Sequence, residues 1–304
     1  MAIRNLELRA RMVVEGFWNG LHRSPYHGFS VEFTEYRQYT PGDDPRYLDW
    51  RVYGRTDRHY IKRFEDETNL RCHLLVDQSR SMGFSEAGRP PKAEYAATLA
   101  ATLAWFLHYQ GDATGLLTFD QTVRDYLPAR HRTGHLRQLM LALDQPATGT
   151  GTDLVAPLER AASLIRKRGW VVLISDFLAP PEPLEKALTL LAAGGHELTL
   201  FQILDPAEVS FDFHEPAWFE DVESGRTLFV DPEVARADYR RRLENHYDAI
   251  RQAGLRLGVA VHRLTTDQPL ELALYEFVRD RARRGRRGRR SAPVSSAAGA
   301  AGPR

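Results

Sequence analysis

The sequence predicts a doubly wound α/β fold with a mostly parallel sheet. The first observation is that strand-sized apolar runs alternate with segments of helical periodicity from Leu70 to about residue 284. The second is that short polar motifs follow predicted strands or precede predicted helices. Strict alternation of this kind is typical of parallel sheets with helices on both faces. At 304 residues and 43% hydrophobic content, the chain is large enough to bury such a core.

The first half of the α/β region begins with an apolar run, Arg71 to Val76, that predicts a strand ending at Asp77. A helix is expected next because residues 96–107 carry apolar side chains at helical spacing, and Pro90 and Pro91 suit its start. We then expect a strand at 114–119 with a hairpin partner at 122–127, and a helix at 136–143.

The second half repeats the same alternation of elements. We expect helices at 154–168, 184–193, 232–253 and 270–281, and strands at 170–174, 196–204 and 258–264. Ser224-Gly225 lies between two short β-type runs, which predicts a hairpin insertion at about residues 210–231.

Three segments of the chain are distinguished by composition. Residues 1–69 form an N-terminal addition, with a helix over about 1–20, a strand around Val31 and Phe33, and another at Tyr60–Phe64. Residues 70–284 form the α/β domain. Residues 285–304 form a tail rich in Arg, Gly and Ala, which cannot build a core and is expected to be disordered.

The overall charge and the cysteine content favour no specialised environment. The net charge is +1, which points neither to nucleic acid nor to an acidic surface. Cys72 is the sole cysteine, which suits a reducing compartment, and its apolar neighbours favour a core residue over a reactive thiol. No apolar run is long enough to span a membrane, so a cytoplasmic location is expected.

Three polar motifs carry the predicted chemistry. They are Asp77-x-Ser79-x-Ser81 after the first strand, Gly151-Thr152-Asp153 before a helix, and Ser175-Asp176 after the fourth strand. Loops at the carboxyl ends of strands meet at one crevice in such sheets, so these side chains are expected to converge. Hydroxyl and carboxylate oxygens suit a hard cation such as Mg²⁺.

Each motif taken alone also has a structural interpretation. Asp and Ser favour helix starts because they cap backbone N–H groups, so each motif fits a capped loop or turn. It is the combination of three such motifs at strand ends that favours a metal site. Arg80 lies between the two serines, and we expect its side chain to point away from the cation.

The metal motif resembles the metal-ion-dependent adhesion site of von Willebrand factor A domains. The matching positions, in the expected order, are Asp77, Ser79, Ser81, Thr152 and Asp176. The resemblance implies a von Willebrand factor A (Rossmann-like) sheet that holds Mg²⁺, with Mn²⁺ as a possible substitute. It also implies that the hydroxyls bind the cation directly and that the two aspartates act largely through water.

A longer motif resembles the signature of domain-of-unknown-function family 58. It is RQYTPGDDPRYLDW at residues 37–50, followed by Arg55 and Lys62. Members carry an A-like domain and are typically encoded beside a MoxR-type AAA+ ATPase. A purely structural role for this block also fits, with Arg37, Arg46 and Asp49 in ion pairs that hold the addition to the domain.

The resemblance implies a Mg²⁺-dependent protein-interaction module in which a partner's Asp or Glu completes the coordination. An adaptor or co-chaperone for a MoxR-type ATPase is expected rather than an enzyme. The sequence has no phosphate-binding loop of the G-x-x-x-x-G-K-[ST] type. Two alternatives stay open: a metal-dependent hydrolase of phosphate or other esters, and nucleic-acid binding through the arginines at 281–290.

Overall fold

The structure, a computed structural model, describes residues 5–23, 35–38, 60–63, 70–86, 88–146, 149, 153–220 and 225–290. Within these ranges the strands are β1 (Glu35–Gln38), β2 (Tyr60–Arg63), β3 (Arg71–Asp77), β4 (Ala113–Phe119), β5 (Val123–Arg130), β6 (Trp170–Ser175), β7 (Glu197–Leu204), β8 (Ala217–Glu220), β9 (Thr227–Val230) and β10 (Ala260–Thr265). The helices are α1 (Leu6–Arg23), α2 (Lys92–Tyr109), α3 (His135–Leu143), α4 (Val155–Leu164), α5 (Pro181–Ala193), α6 (Pro206–Ser210), α7 (Pro232–Leu257) and α8 (Leu270–Arg290).

Six strands form one sheet in the order β5-β4-β3-β6-β7-β10. The β4–β5 pair is antiparallel, and every other pair of neighbours is parallel. Numbered along the chain within the sheet, this is the 3-2-1-4-5-6 order of doubly wound folds. The expected doubly wound, mostly parallel sheet of von Willebrand factor A (Rossmann-like) type is therefore confirmed, with one reversed strand at an edge.

Helices cover both faces of this sheet because alternate strand residues point to opposite sides. On one face, Leu74, Val172 and Phe201 pack against α1, α2, α3 and α8. On the other, Leu75 and Leu173 pack against α4, α5 and α7. Cys72 is buried in the first of these cores, as the sequence predicts.

The N-terminal helix belongs to the same core as the sheet. Its buried side chains Leu6, Ala10, Val14 and Phe17 recur at helical spacing and pack against α2 and α8. The Phe17 ring meets Phe106 edge-on, with centroids 6.2 Å apart. The helical part of the addition is thus held by apolar burial, whereas the boundary at residue 69 stays a prediction.

The other described parts of the addition are two short strands. β1 and β2 pair antiparallel, with Arg37 opposite Ile61 and Tyr36 opposite Lys62. The signature block from Tyr39 to Trp50 and the strand expected around residues 31–33 lie outside the described residues.

Several helix ends differ from the expected positions. α4 stops at Leu164 rather than residue 168, because Ile165 leaves the helical conformation and is buried in the core. α7 runs to Leu257, where Gly258 at φ 68° ends it, so β10 starts at Ala260 rather than 258.

The last helix also corrects an expected boundary. α8 continues to Arg290, so residues 285–290 are helical rather than part of the expected disordered tail. Arginine is a good helix former, and the two glycines in this stretch do not interrupt the helix. Residues 291–304 lie outside the described part. Within the described ranges, no helix has the length and apolar character needed to cross a membrane.

His73 is a buried titratable group in the central strand β3. Burial, with smaller contributions from His196 and Arg71, lowers the pKa of His73 to about 4. The neutral imidazole is therefore the form that the fold accommodates.

We predict that His73 makes the protein less stable as the pH falls from about 6.5 to about 4. The unfolded chain binds a proton at His73 in this window and the folded chain does not, which costs roughly 3 kcal/mol at the acidic end. In urea unfolding at a series of pH values, His73→Gln should lose less stability across the window than the wild type. His214→Gln serves as the control because His214 is exposed. Equal pH dependence in all three proteins would contradict the assignment.

Candidate metal centre

The candidate site lies where the winding of the sheet reverses. β3 and β6 are parallel neighbours, and the chain leaves them toward opposite edges of the sheet. Ligand sites of open α/β sheets lie at this switch point, beyond the carboxyl ends of the strands. Asp77 ends β3 and Ser175 ends β6, and the Ser175 hydroxyl donates to Asp77 Oδ2 at 2.6 Å.

The loop after β3 folds around the Asp77 carboxylate. The backbone N–H of Ser79 donates to Asp77 Oδ1 at 2.8 Å, which turns the chain back toward the sheet. The hydroxyl oxygens of Ser79 and Ser81 lie 3.1 Å apart, and both residues are buried. Arg80 between them is exposed, in agreement with the expectation that it points away.

The second carboxylate of the site has a partner that the sequence analysis did not anticipate. Asp176 Oδ2 accepts from Lys92 Nζ at 2.9 Å, and both side chains are 0% exposed. The other oxygen, Asp176 Oδ1, accepts from the N–H of Leu178 at 3.2 Å. Lys92 Nζ also donates to Glu208 Oε1 at 2.6 Å.

The third strand end to contribute is that of β7. Asp205 caps α6 by accepting from the N–H of Ala207 at 2.8 Å, and Glu208 Oε2 accepts in return from the N–H of Asp205. Asp205 Oδ2 also accepts from the N–H of Glu86, which lies between the loop at residues 78–83 that carries Ser79 and Ser81 (the serine loop) and α2. Three loops are therefore joined by polar contacts around Lys92.

Around Thr152, the structure describes Gly149 on the N-terminal side and the residues from Asp153 onward on the C-terminal side. Gly149 is buried against the serine loop, where an added Cβ would lie 2.8 Å from the carbonyl oxygen of Gln78 and 2.9 Å from Cα of Ser79. Asp153 accepts from the N–H of Val155 at 2.8 Å at the start of α4. Thr152 itself lies outside the described residues, so its role as a ligand stays a prediction.

The site concentrates buried charge. Burial, together with the nearby charge of Asp176, raises the pKa of Asp77, against the hydrogen bonds from Ser175 and Ser79. Burial acts to lower the pKa of Lys92, but the attraction of Asp176 and Glu208 outweighs it and raises that pKa. Burial also raises the pKa of Glu208, which Lys92 offsets in part. Asp77 and Glu208 thus resist ionisation, mainly because they are buried, whereas Lys92 is held in its charged form by its two acidic partners.

The donor set fits a small hard cation. Two adjacent ligands of octahedral Mg²⁺, each about 2.0–2.1 Å from the ion, lie about 3 Å apart. The Ser79 and Ser81 hydroxyl oxygens have this separation. Asp77 and Asp176 each accept two hydrogen bonds from the protein, and their remaining lone pairs suit water molecules on the ion.

Four of the five predicted site residues lie in the described part of the chain, at the ends of β3 and β6, and the structure adds other residues to the site. Asp77, Ser79 and Ser81 share one loop, and Asp176 adjoins it through Ser175. The additional residues are Lys92, Ser175, Asp205 and Glu208. A signal for Lys92 was present, because it falls at helical spacing before the apolar residues Ala96 and Leu99 of α2. A lysine on a core-facing stripe requires a buried acid.

Comparison with known proteins agrees with the signature in the sequence. Residues 35–249 match the family described as "Protein of unknown function DUF58". The chain belongs to this family. Among its relatives are the uncharacterized protein Rv1480 of Mycobacterium tuberculosis and the uncharacterized protein Mb1516 of Mycobacterium bovis. Each is 29% identical over 287 residues, covering 93% of this chain and 89% of the relative.

Solved structures with a similar arrangement are more distant. The conserved hypothetical protein BatB from Bacteroides thetaiotaomicron is 14% identical, covering 70% of this chain and 99% of its own, with a TM-score of 0.48. The SpRpn10 VWA domain is 13% identical, covering 68% of this chain and 94% of its own, with a TM-score of 0.38. At these scores the likenesses add nothing to the fold assigned above from strand order.

We predict that Gly149→Ala destabilises the DUF58 protein by about 1–3 kcal/mol, because the added methyl group meets backbone atoms of the serine loop that cannot move freely. Gly83→Ala is the matched control. Gly83 lies in the same loop and has nothing within 4 Å of an added Cβ. Chemical denaturation measures both. Equal stability of the two variants would contradict the close packing of residue 149 on this loop.

Proposed function

We propose that this DUF58 protein is a metal-ion-dependent protein-interaction module that holds Mg²⁺ at Asp77, Ser79, Ser81, Thr152 and Asp176. The observation that carries the proposal is the pair of serine hydroxyl oxygens, 3.1 Å apart at the switch point of the sheet and beside two buried carboxylates. Mn²⁺ has similar ligand preferences and is expected to substitute.

The chemistry of the bound cation follows from its ligands. Neutral hydroxyls contact it directly, and the aspartates are engaged by protein donors, so the ion keeps part of its charge. Mg²⁺ would supply a Lewis-acidic centre that attracts a further anionic oxygen. The side chain best suited to provide it is an Asp or Glu from a partner protein.

The surroundings of the site also suit a protein partner. An open groove of about 250 Å³ lies beside the Asp176 loop, lined by Leu178, Tyr239, Leu243, His246 and Arg242. His246 lies 2.8 Å from the carbonyl oxygen of Phe177, so one wall of the groove is the loop that carries Asp176. The apolar side chains of this groove, together with Arg242, whose guanidinium pairs with Asp238, complement a partner segment in which an apolar residue neighbours a polar one.

Binding is preferred here to catalysis. Both oxygens of Asp77 and both oxygens of Asp176 accept hydrogen bonds from the protein, which ill suits a general base that must take a proton from substrate. The metal-dependent hydrolase and nucleic-acid binding through the arginines at 281–290 remain alternative hypotheses. Family membership supports a MoxR-type AAA+ ATPase as a partner, with the protein as its adaptor or co-chaperone, and a cytoplasmic location is part of this proposal.

We predict that the wild type binds one Mg²⁺ or Mn²⁺ in a calorimetric titration. Ser79→Ala/Ser81→Ala should bind at least about tenfold more weakly, because it removes two direct ligands without removing charge. Ser163→Ala is the control, since Ser163 is an exposed serine of α4 that bonds to its own helix. Binding that is equal in the wild type and the double variant would exclude the serine hydroxyls as ligands.

A second prediction concerns the partner. The purified MoxR-type ATPase from the same organism should be retained by the immobilised wild type in Mg²⁺ and released by a chelator, because the cation bridges the two proteins. The Ser79→Ala/Ser81→Ala protein should not retain it, whereas Ser163→Ala should. Retention that survives the chelator would contradict a cation-mediated contact.

A further inference from the structure

Lys92 is the most unusual charged residue of the described part of the chain. Its side chain is fully buried at the first turn of α2, where the ammonium group contacts Asp176 and Glu208. The ring of Phe84 lies 5.9 Å from the ammonium nitrogen. A buried ammonium group is stable only where acidic partners compensate it. The two carboxylates fulfil that condition.

Lys92 also lies directly beside the candidate metal ligands. Its backbone N–H donates to the carbonyl oxygen of Phe84, so it is tied to the segment that follows the serine loop. Its ammonium group donates a hydrogen bond to Asp176 Oδ2. A fixed positive charge is therefore in contact with one of the five residues assigned to the cation.

Glu208 is the second acidic partner of the Lys92 ammonium group. It lies 2.6 Å from Lys92 Nζ, with a side chain 16% exposed, and the capping contact with Asp205 holds it in place. The buried group thus contains one ammonium and two carboxylates in direct contact, with Asp77 one loop away.

We propose that Lys92 is an internal positive charge that sets the cation affinity of the candidate site, and that Glu208 moderates it. The inference rests on the proposed function. Lys92 acts on the cation through Asp176, by keeping this carboxylate from direct coordination and by repelling the ion. A site weakened in this way holds its cation most firmly when a partner's carboxylate adds the missing negative charge.

An electrostatic role and a purely structural role of Lys92 predict different changes in cation affinity. Repulsion between like charges in a buried site exceeds that in water, so removal of the Lys92 charge should strengthen cation binding. Removal of the Glu208 charge leaves the ammonium less neutralised and should weaken it. If both residues only hold the loops in place, both substitutions weaken binding.

The test is a calorimetric titration of the full chain with Mn²⁺ alone. Lys92→Met is expected to bind about tenfold more tightly than the wild type, and Glu208→Gln about tenfold more weakly. Glu185→Gln controls for net charge, because Glu185 pairs with Arg256 on the surface between α5 and α7. Its affinity should match that of the wild type.

Unchanged or weaker binding by Lys92→Met, or unchanged or tighter binding by Glu208→Gln, overturns this inference and leaves the proposed function intact if the wild type binds. A wild type without saturable binding overturns both. If Lys92→Met does not fold, the test compares the cation affinity of Glu208→Gln with that of the double variant Lys92→Met/Glu208→Gln, in which both charges are removed. The double variant should bind more tightly than Glu208→Gln, and equal or weaker binding overturns the inference.

Discussion

The parallel pairing of β3 with β6 is the constraint on which the candidate site depends. These strands are adjacent although about a hundred residues separate their ends, and the chain leaves them in opposite directions. The two loops diverge from this point and leave a crevice at the carboxyl ends of the strands, where polar side chains gather. The 2.6 Å hydrogen bond from Ser175 to Asp77 fixes the two strand ends relative to each other.

A network of buried ionisable side chains adjoins the candidate site. Asp77, Asp176 and Glu208 lie in a region from which solvent is largely excluded, and Lys92 is the cation that contacts two of them. Replacing such a network by apolar residues is often neutral or stabilising in proteins, so stability alone does not explain its presence. The proposed role in cation binding would account for these charged side chains, because each of them would change the electrostatic potential at the site.

The elements most accurately predicted from sequence were those with the clearest periodicity. β3, β6 and β7 are apolar runs bounded by polar residues, and the structure contains each within about one residue of the expected place. Helix ends were less predictable because tertiary contacts decide them. The burial of Ile165 ends α4 early, a choice that depends on the core behind it. Lys92 was missed because a single lysine in a sequence is assigned to the surface unless its acidic partners are known.

The sequence by itself determined the fold class, the family and three segments of the candidate site, because apolar periodicity and short motifs are local properties. It also placed Asp77, Ser79 and Ser81 on one loop, since their spacing permits little else. Only the tertiary structure decided which carboxylates contact the Lys92 ammonium group. Lys92 and Glu208 are separated by more than a hundred residues, and their contact exists because β3, β6 and β7 end side by side. The spacing of two residues in the sequence does not show whether they are in contact, because the packing of the sheet decides which strand ends are neighbours.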